Sequence, residues 1–364
     1  MTLTGHLLGF LCVSIGALGA PRDARSGGLA GADLAADLKN WMSRLPEDLR
    51  KVPINYLAIP GTHDSFTVDV TSSSKVSPDG EDIMRVLEFL TVAREVMANW
   101  SRTQAFDVRQ QLEAGIRFFD LRLCLNSDDG DLYFCHGLYS TEVRGVFANL
   151  SSYLDDHPNE VVILDCQHFY NFTDATHSEV MRMLKDSLGS KLIPYQSNMS
   201  SLTLEHLTAL KQQVLVVYRD DRQSGQPLLW PSDSFPTPWY NTLNSTYLIS
   251  KLTEGLGTRS PSSGYISQLV LTPQVSDILE GLLTTLEQKC AVDFQPARIE
   301  WIVGQVPGPH GANVIIGDFI DLDDNEFSKA VINLNSKLSS ARPSRVGPMG
   351  RVKSFIAAFK SYFV

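Results

Sequence analysis

Short apolar runs separated by helix-length amphipathic segments constrain the fold of this chain more than any other feature. Most of the runs are continuously apolar rather than alternating, and they span residues 56–59, 116–123, 132–135, 161–166, 214–218, 265–271 and 314–316. Strands that are buried on both faces have this composition. The pattern therefore predicts a mainly parallel sheet covered by helices.

Predicted helices alternate with these runs, at residues 106–113, 142–156, 176–188, 204–211, 247–256, 275–289, 298–303 and 326–338. This order fits either a (β/α) barrel or a doubly wound sheet. Polar residues recur directly after the runs, and barrel enzymes collect their catalytic groups at the carboxyl ends of the strands. We therefore predict an α/β fold of the TIM-type barrel class, distorted or incomplete, over residues 40–338.

One connection is too short to contain a crossover helix. Only the polar segment 127–131 separates the run that carries Arg122 from the next run, so the two runs are predicted to form an antiparallel hairpin on the carboxyl-terminal rim. If Arg122 is to face His136, paired residue numbers sum to 258, and Cys124 and Cys135 then point to opposite faces. A sum of 259 would pair the cysteines but turn His136 away, and a bulge could reconcile the two.

Size and charge restrict the class of protein. The chain has 364 residues, of which 43% are hydrophobic, enough for one large domain or two ordinary ones. Its formal net charge of −10 disfavours nucleic-acid binding, because a phosphate backbone would be repelled. We expect a monomer that binds no nucleic acid.

The amino terminus resembles a secretion signal. Residues 1–20 contain no acidic residue, lysine or arginine, and the apolar stretch from Leu7 ends in small residues before Pro21. A signal peptide has this composition, although basic residues are missing at its start, and a buried or frayed terminal segment is the alternative. Sequons also fit a secreted or lumenal glycoprotein, and they begin at Asn99, Asn149, Asn171, Asn198 and Asn244.

The cysteines leave two interpretations open. Removal of residues 1–20 would leave Cys124, Cys135, Cys166 and Cys290, whose spacing matches no zinc motif. An exported chain could pair them as disulfides, whereas a domain of this size does not need crosslinks and could bury free thiols.

Two histidines and an arginine lie at the ends of predicted strands. His63 follows the first run in a Pro-Gly turn, Asp120 and Arg122 share a strand face, and His136 lies on the other strand of the hairpin. One imidazole can remove a hydroxyl proton, the other can protonate a leaving alkoxide, and a guanidinium can stabilise negative charge at phosphorus. This set of residues indicates phosphoryl transfer.

Six segments together resemble the X domain of phosphatidylinositol-specific phospholipase C, and in particular the small eukaryotic X-domain-containing proteins that lack accessory modules. In chain order they span residues 57–65 (LAIPGTHDS), 111–122 (QLEAGIRFFDLR), 134–137 (FCHG), 160–165 (EVVILD), 229–231 (LWP) and 313–319 (NVIIGDF). No single segment is specific, but their combination and order are.

The resemblance implies roles for the site residues. His63 would be the general base toward the inositol 2-hydroxyl, His136 the general acid toward the diacylglycerol oxygen, and Arg122 the group that holds the phosphate. Carboxylates complete the implied network by orienting the imidazoles and stabilising their charged forms: Asp64, Asp318 and, as a further member, Asp120.

No metal or other cofactor is expected. Calcium-dependent members of the wider family supply several acidic ligands around the phosphate, whereas Arg122 and Gln167 stand at two of the similar positions. A guanidinium cannot ligate Ca²⁺ and instead supplies positive charge itself. The resemblance therefore implies the metal-independent type.

Headgroup contacts are expected from four residues that follow strands: Gln167, His168, Tyr218 and Arg219. The predicted activity is a phosphoric diester cleavage in phosphatidylinositol or a related inositol phospholipid. A glycerophosphodiesterase-like hydrolase and a weakly active or inactive lipid-binding protein are the alternatives.

The carboxyl-terminal tail, residues 339–364, lies outside the resemblance. From residue 341 onward it is basic and lacks acidic residues, and apolar residues recur at helical spacing: Val352, Phe355, Ile356, Phe359 and Phe363. Such a segment could lie on an anionic membrane surface or pack on the barrel, and both interpretations stay open.

Overall fold

A computed structural model describes residues 33–340 of the chain. Within this part the strands are β1 (Ile59–Thr62), β2 (Phe118–Leu125), β3 (Leu132–His136), β4 (Leu138–Glu142), β5 (Val162–Tyr170), β6 (Val214–Tyr218), β7 (Ile266–Gln268) and β8 (Val314–Gly317). The helices are α1 (Trp41–Arg44), α2 (Glu47–Arg50), α3 (Asp82–Leu87), α4 (Thr91–Ser101), α5 (Val108–Glu113), α6 (Val143–Asp156), α7 (Asp174–Leu188), α8 (Leu204–Leu210), α9 (Ser245–Thr258), α10 (Val275–Glu280), α11 (Gln295–Gly304), α12 (Leu322–Asn333) and α13 (Ser336–Ser340).

The parallel strands form an incomplete barrel in the order β7, β8, β1, β2, β5, β6. No ladder joins β6 to β7 in the described residues, and segment 230–236 lies between them instead. Trp230 exchanges backbone hydrogen bonds with β6, and the Ile266 N–H of β7 donates to the Pro236 carbonyl. The predicted α/β barrel, distorted from a regular TIM barrel, is confirmed.

Alternate residues of the parallel strands pack into two different cores. One set fills the barrel interior together with residues of α1: Ile59, Phe118, Ile163, Leu215, Ile266 and Val314. The next residues along the same strands pack against the outer helices: Phe119, Val162, Leu164, Val216 and Ile315. Because both faces are buried, these strands appear in the sequence as uninterrupted apolar runs.

Gly61 allows β1 to lie close to both of its neighbours. A Cβ at this position would lie 2.8 Å from Cβ of Phe118 on β2 and 2.9 Å from Cγ2 of Ile316 on β8. Only glycine permits that approach without displacing a strand. The end of β1, which carries His63, is thereby held between β2 and β8.

The predicted hairpin forms, but its register differs from both expectations. β2 and β3 are antiparallel with Leu123 opposite Phe134, so paired numbers sum to 257. The expectation that the two cysteines point to opposite faces is therefore wrong: Cys124 and Cys135 form a disulfide with Cα atoms 6.3 Å apart. His136 lies beyond the last of these pairs and pairs instead with Leu138 of β4, next to Gly137 with φ 71°, so alternation along the β2–β3 ladder does not set its direction.

Several element boundaries also differ from the sequence-based expectations. Strand β4 was not predicted, and neither were α3 and α4, which lie in the long connection after β1. The predicted helix 275–289 consists of α10 followed, after a break, by a π-helix over Glu287–Val292. The described helices include none that is long and apolar enough to cross a membrane. The expected signal peptide and basic tail lie outside the described residues.

Candidate active site

One rim of the barrel collects the polar residues that follow the parallel strands. His63 and Asp64 follow β1, Asp318 follows β8, and Arg219 follows β6. Others lie on strands that continue past the end of β1: Asp120 and Arg122 on β2, and Gln167 and His168 on β5. Because parallel strands end on the same side of the barrel, these residues meet at its carboxyl-terminal mouth.

His63 is a buried residue whose tautomer is set by a carboxylate. Its Nδ1 lies 2.8 Å from Oδ1 of Asp318, so Nδ1 carries the proton of that hydrogen bond and Nε2 faces the site. The backbone carbonyl of Asp318 in turn accepts a hydrogen bond from Nη1 of Arg298 at 2.6 Å. The position of the imidazole therefore depends on β8 as well as β1.

Arg122 is surrounded by the other members of the predicted network. Its Nη2 lies 2.9 Å from Nε2 of His63 and 3.6 Å from Oδ2 of Asp120, and its Nε contacts Oδ1 of Asp64. Burial opposes the charge on the guanidinium, but Asp64 and Asp120 outweigh burial and raise the pKa of Arg122 above its ordinary value. A permanent positive charge is thus fixed at the centre of the site.

The proton affinity of His63 is raised by its surroundings. Burial lowers its pKa, but Asp64 and Asp318 together outweigh burial and the opposing charge of Arg122, and raise the pKa of His63 to about 9. Nε2 has two neighbours, Arg122 at 2.9 Å and Asp64 Oδ2 at 3.5 Å. A neutral Nε2 accepts from the guanidinium, whereas a protonated Nε2 faces the carboxylate.

His136 faces the same carboxylate from the hairpin side. Its Nδ1 lies 2.9 Å from the carbonyl oxygen of Ser101, which accepts the Nδ1 proton, and its Nε2 lies 3.5 Å from Oδ2 of Asp64. The ring centres of His63 and His136 are 6.3 Å apart. The two imidazoles therefore present Nε2 atoms to one small space beside the Arg122 guanidinium.

A cation would have candidate ligands here. Donor atoms of His63, Asp64 and Asp120 lie within 4.8 Å of one another. Arg122 contacts all three, so these acceptors already face a fixed positive charge. The donor set therefore fits the guanidinium, and a cation would have to displace it.

Arg219 and Gln167 are tied to a buried carboxylate beneath the mouth. Arg219 binds Asp165 through two hydrogen bonds, Nε to Oδ1 at 2.7 Å and Nη2 to Oδ2 at 2.8 Å, and Gln167 Nε2 donates to Oδ2 at 3.2 Å. Burial raises the pKa of Asp165 to about 6 despite the opposing effect of Arg219. Arg219 is consequently a fixed charge at the wall of the site rather than a freely moving side chain.

The remaining two predicted headgroup contacts lie in different environments. A bulge in the β2–β5 pairing sets His168 beside Arg122, and His168 is exposed and stacks on Tyr170 with ring centres 5.8 Å apart. Tyr218 is fully buried, and its hydroxyl hydrogen-bonds Nδ1 of His177 at 2.7 Å. The expectation that Tyr218 contacts a headgroup is wrong, because it belongs to the face of β6 that packs under the helices.

Sequence reasoning missed three residues that hold the site. Gln104 is fully buried, and its Nε2 donates to the carbonyls of His63 and Gly317 at 2.9 and 3.0 Å, which joins the ends of β1 and β8. Ser101 supplies the acceptor for His136, and Tyr170 stacks beside His168. Ser101 and Gln104 lie in the connection after β1, where no periodic pattern marks them.

The fold and the site define a barrel of the phosphatidylinositol-specific phospholipase C type. Residues 95–220 match the family model described as the X domain of that enzyme. The chain is 38% identical to mouse PI-PLC X domain-containing protein 2 over 314 residues, covering 85% of this chain and 92% of the mouse protein. It is also 38% identical to human PI-PLC X domain-containing protein 3 over 303 residues, covering 82% and 94%. The chain belongs to the family of PI-PLC X domain-containing proteins.

Bacterial structures of this type share the fold. The phosphatidylinositol-specific phospholipase C of Listeria monocytogenes superimposes with a TM-score of 0.57 at 17% identity, over 83% of this chain and 98% of the bacterial one. A variant of the Staphylococcus aureus enzyme gives a TM-score of 0.57 at 16% identity, over 84% and 99%. At these identities the likeness establishes the barrel architecture.

Proposed function

We propose that this protein is a phosphodiesterase that cleaves phosphatidylinositol or a related inositol phospholipid by histidine acid/base catalysis, without a metal. One observation carries the proposal. The Nε2 atoms of His63 and His136 each lie 3.5 Å from Oδ2 of Asp64, and the two ring centres are 6.3 Å apart. Their Nδ1 atoms are occupied elsewhere, so both reactive nitrogens are directed to the same substrate position.

The geometry supports a division of roles. His63, whose pKa is raised toward 9, is a strong base that takes the proton of the inositol 2-hydroxyl, and that oxygen attacks phosphorus. Arg122 stabilises the negative charge that develops on the phosphate oxygens. His136, more exposed on the outer side, gives its proton to the departing diacylglycerol oxygen. The first product is a 1,2-cyclic inositol phosphate.

Metal independence is supported by the position of Arg122. Its guanidinium contacts the carboxylates of Asp64 and Asp120, the oxygen ligands that a hard cation would use. Arginine stays charged at any physiological pH, so charge compensation in the site needs no ion.

A membrane surface is the expected location of the substrate, and two exposed apolar segments support it. The connection after β1 exposes Phe89 and Val92, at 74% and 78% exposure, and the connection after β7 exposes Leu283 completely. Both connections leave the carboxyl ends of strands, on the side of the active site. Apolar side chains around such a mouth suit contact with lipid.

We also propose a secretory location. The Cys124–Cys135 disulfide is typical of an oxidising compartment, and the asparagines of all five sequons are exposed: Asn99, Asn149, Asn171, Asn198 and Asn244. A glycosidase-sensitive shift in the mass of the protein from secreting cells would support this proposal, and a reduced, unglycosylated protein in the cytosolic fraction would oppose it.

One assay tests the activity. Purified protein is incubated with vesicles of phosphatidylinositol or phosphatidylcholine and with soluble glycerophosphoinositol, with and without EDTA, and products are identified by phosphorus NMR. Cyclic inositol phosphate from phosphatidylinositol in the presence of EDTA is the expected result. Binding to phosphatidylinositol vesicles without turnover would identify a lipid-binding protein instead, and preference for glycerophosphoinositol would identify a glycerophosphodiesterase.

A further inference from the structure

We propose that the Cys124–Cys135 disulfide and the Asp79 carboxylate are positioning groups for His136, the general acid; this inference rests on the proposed function. Neither group touches the reacting atoms. They act through the backbone on either side of His136, where pairing between β2 and β3 has ended and His136 pairs with Leu138 of β4.

The disulfide joins β2 and β3 at the place where the hydrogen-bonded ladder between these two strands ends. Cys135 directly precedes His136 on β3, and Cys124 follows Arg122 by two residues on β2. Backbone pairing already holds the strands together from Leu125–Leu132 to Leu123–Phe134. The crosslink therefore does not serve to close the hairpin, and instead fixes the residue before the acid relative to the strand that carries the phosphate-binding arginine.

Asp79 holds the residue that follows the acid. Its Oδ2 accepts a hydrogen bond from the Gly137 N–H at 2.8 Å, and its Oδ1 accepts from the Ser77 hydroxyl. The Ser77 N–H donates to the Gly137 carbonyl at 3.0 Å. Both backbone polar groups of Gly137 are thus bound by the segment 77–79.

The backbone conformation and the packing of Gly137 further restrict its movement. Its φ of 71° belongs to the left-handed region, and a Cβ there would lie 3.0 Å from Cε of Met84. The side chain of His136 itself is 29% exposed, and its polar contacts are Ser101 and Asp64. Its direction therefore depends on the backbone at Cys135 and Gly137. Displacing a catalytic group by about 1 Å can reduce turnover about 100-fold.

A substrate whose leaving group needs no proton distinguishes two causes of lost turnover. Misplacement of the general acid affects only the substrate that needs a proton, whereas a general loss of stability affects both. Phosphatidylinositol releases an alkoxide, whereas an inositol 4-nitrophenyl phosphodiester releases a stable phenolate. We expect Cys124→Ala/Cys135→Ala and Asp79→Ala to lower kcat on phosphatidylinositol by about 10- to 100-fold with KM nearly unchanged, and to leave turnover of the nitrophenyl diester close to wild type.

Two variants serve as controls. Asp79→Asn keeps an oxygen acceptor for the Gly137 N–H and should restore most of the turnover lost in Asp79→Ala. Asp128→Ala removes an exposed carboxylate from the loop of the same hairpin, where Asp128 is paired with Lys75, and should behave as wild type on both substrates. Thermal unfolding of each variant shows whether the fold is intact.

Equal losses on both substrates, or no loss on either, in folded Asp79→Ala and double-cysteine variants would overturn the positioning role. Wild-type protein that turns over neither substrate would reject the proposed function instead. In that case NMR-detected amide exchange decides: the Gly137 amide should be protected in wild type and exchange faster in Asp79→Ala, and identical exchange in the two proteins would refute the inference.

Discussion

Nδ1 of His63 lies 2.8 Å from Oδ1 of Asp318, across the ends of the neighbouring strands β1 and β8. This contact does two things at once. It keeps the proton on Nδ1, so that Nε2 faces the site, and it stabilises the positive charge that the imidazole acquires when it takes a proton. In the proposed reaction, the general base is therefore positioned by a residue 255 positions away in the sequence.

Replacing either histidine should abolish most of the activity. We expect His63→Ala and His136→Ala each to reduce turnover of phosphatidylinositol by about 10²- to 10⁴-fold, because each removes one proton-transfer group. His206→Ala, which changes an exposed histidine on α8, is the matched control and should keep full activity. A folded His63→Ala or His136→Ala protein with near-normal turnover would exclude that histidine from catalysis.

The pH dependence of turnover should show the effect of the neighbouring carboxylates on the pKa of His63. Because the pKa of His63 is raised from 6.5 to about 9, the deprotonated base becomes more abundant as pH rises, and kcat/KM for the inositol 4-nitrophenyl diester, which needs no general acid, should increase up to about pH 9. Asp318→Asn removes one of the charges that raise this pKa, so the rising limb should shift to lower pH while the maximal rate falls. A limb near pH 6.5 in wild type would show that the carboxylates do not control the base.

Chelation should leave the activity intact. Wild-type turnover is expected to persist in EDTA, whereas Arg122→Ala should lose about 10²-fold or more because the phosphate loses its fixed positive partner. Arg122→Asp should stay inactive unless Ca²⁺ is added, since only then would the acidic cluster have a cation. Wild-type activity that disappears in EDTA and returns with Ca²⁺ would contradict this prediction.

The Arg219–Asp165 pair should be a stability determinant. Arg219→Met leaves a fully buried carboxylate unpaired and is expected to lower the free energy of unfolding by about 3–5 kcal/mol at neutral pH. The loss should shrink in acid, where Asp165 is protonated, and in the double variant Asp165→Asn/Arg219→Met. Arg182→Met breaks an exposed pair on α7 and should change stability little. Urea denaturation of the four proteins would show whether the loss depends on Asp165.

The sequence predicted those parts of the site that strand geometry controls. His63, Arg122 and Asp318 lie at or just beyond strand ends, and uninterrupted apolar runs locate such ends well. Strand alternation also explains why the expectation for Tyr218 was wrong. The period of two places Tyr218 on the opposite face from Arg219, and Tyr218 is buried against the helices.

Other parts of the site depend on contacts that no local pattern encodes. The hairpin register is off by one from the nearer prediction, which required His136 to face Arg122 across the two strands. The β2–β3 pairing instead ends at Leu123–Phe134, and His136 pairs with Leu138 of β4. Gln104 and Ser101, in the connection after β1 and at the end of α4, form hydrogen bonds to His63 and His136, which are distant in sequence. Only the folded barrel brings these residues to the rim.

Segment 230–236, which fills the space between β6 and β7, makes one side of the barrel wall less stable to local opening than the other. It is attached by a few backbone hydrogen bonds rather than by a continuous ladder, so the wall should open here at a lower free energy than anywhere along β8, β1 and β2. Arg219 donates to the carbonyls of Ser232 and Phe235 in this segment. A transient opening would therefore release one side of the wall of the candidate site, while His63 after β1 and His136 at the end of β3 stay in place.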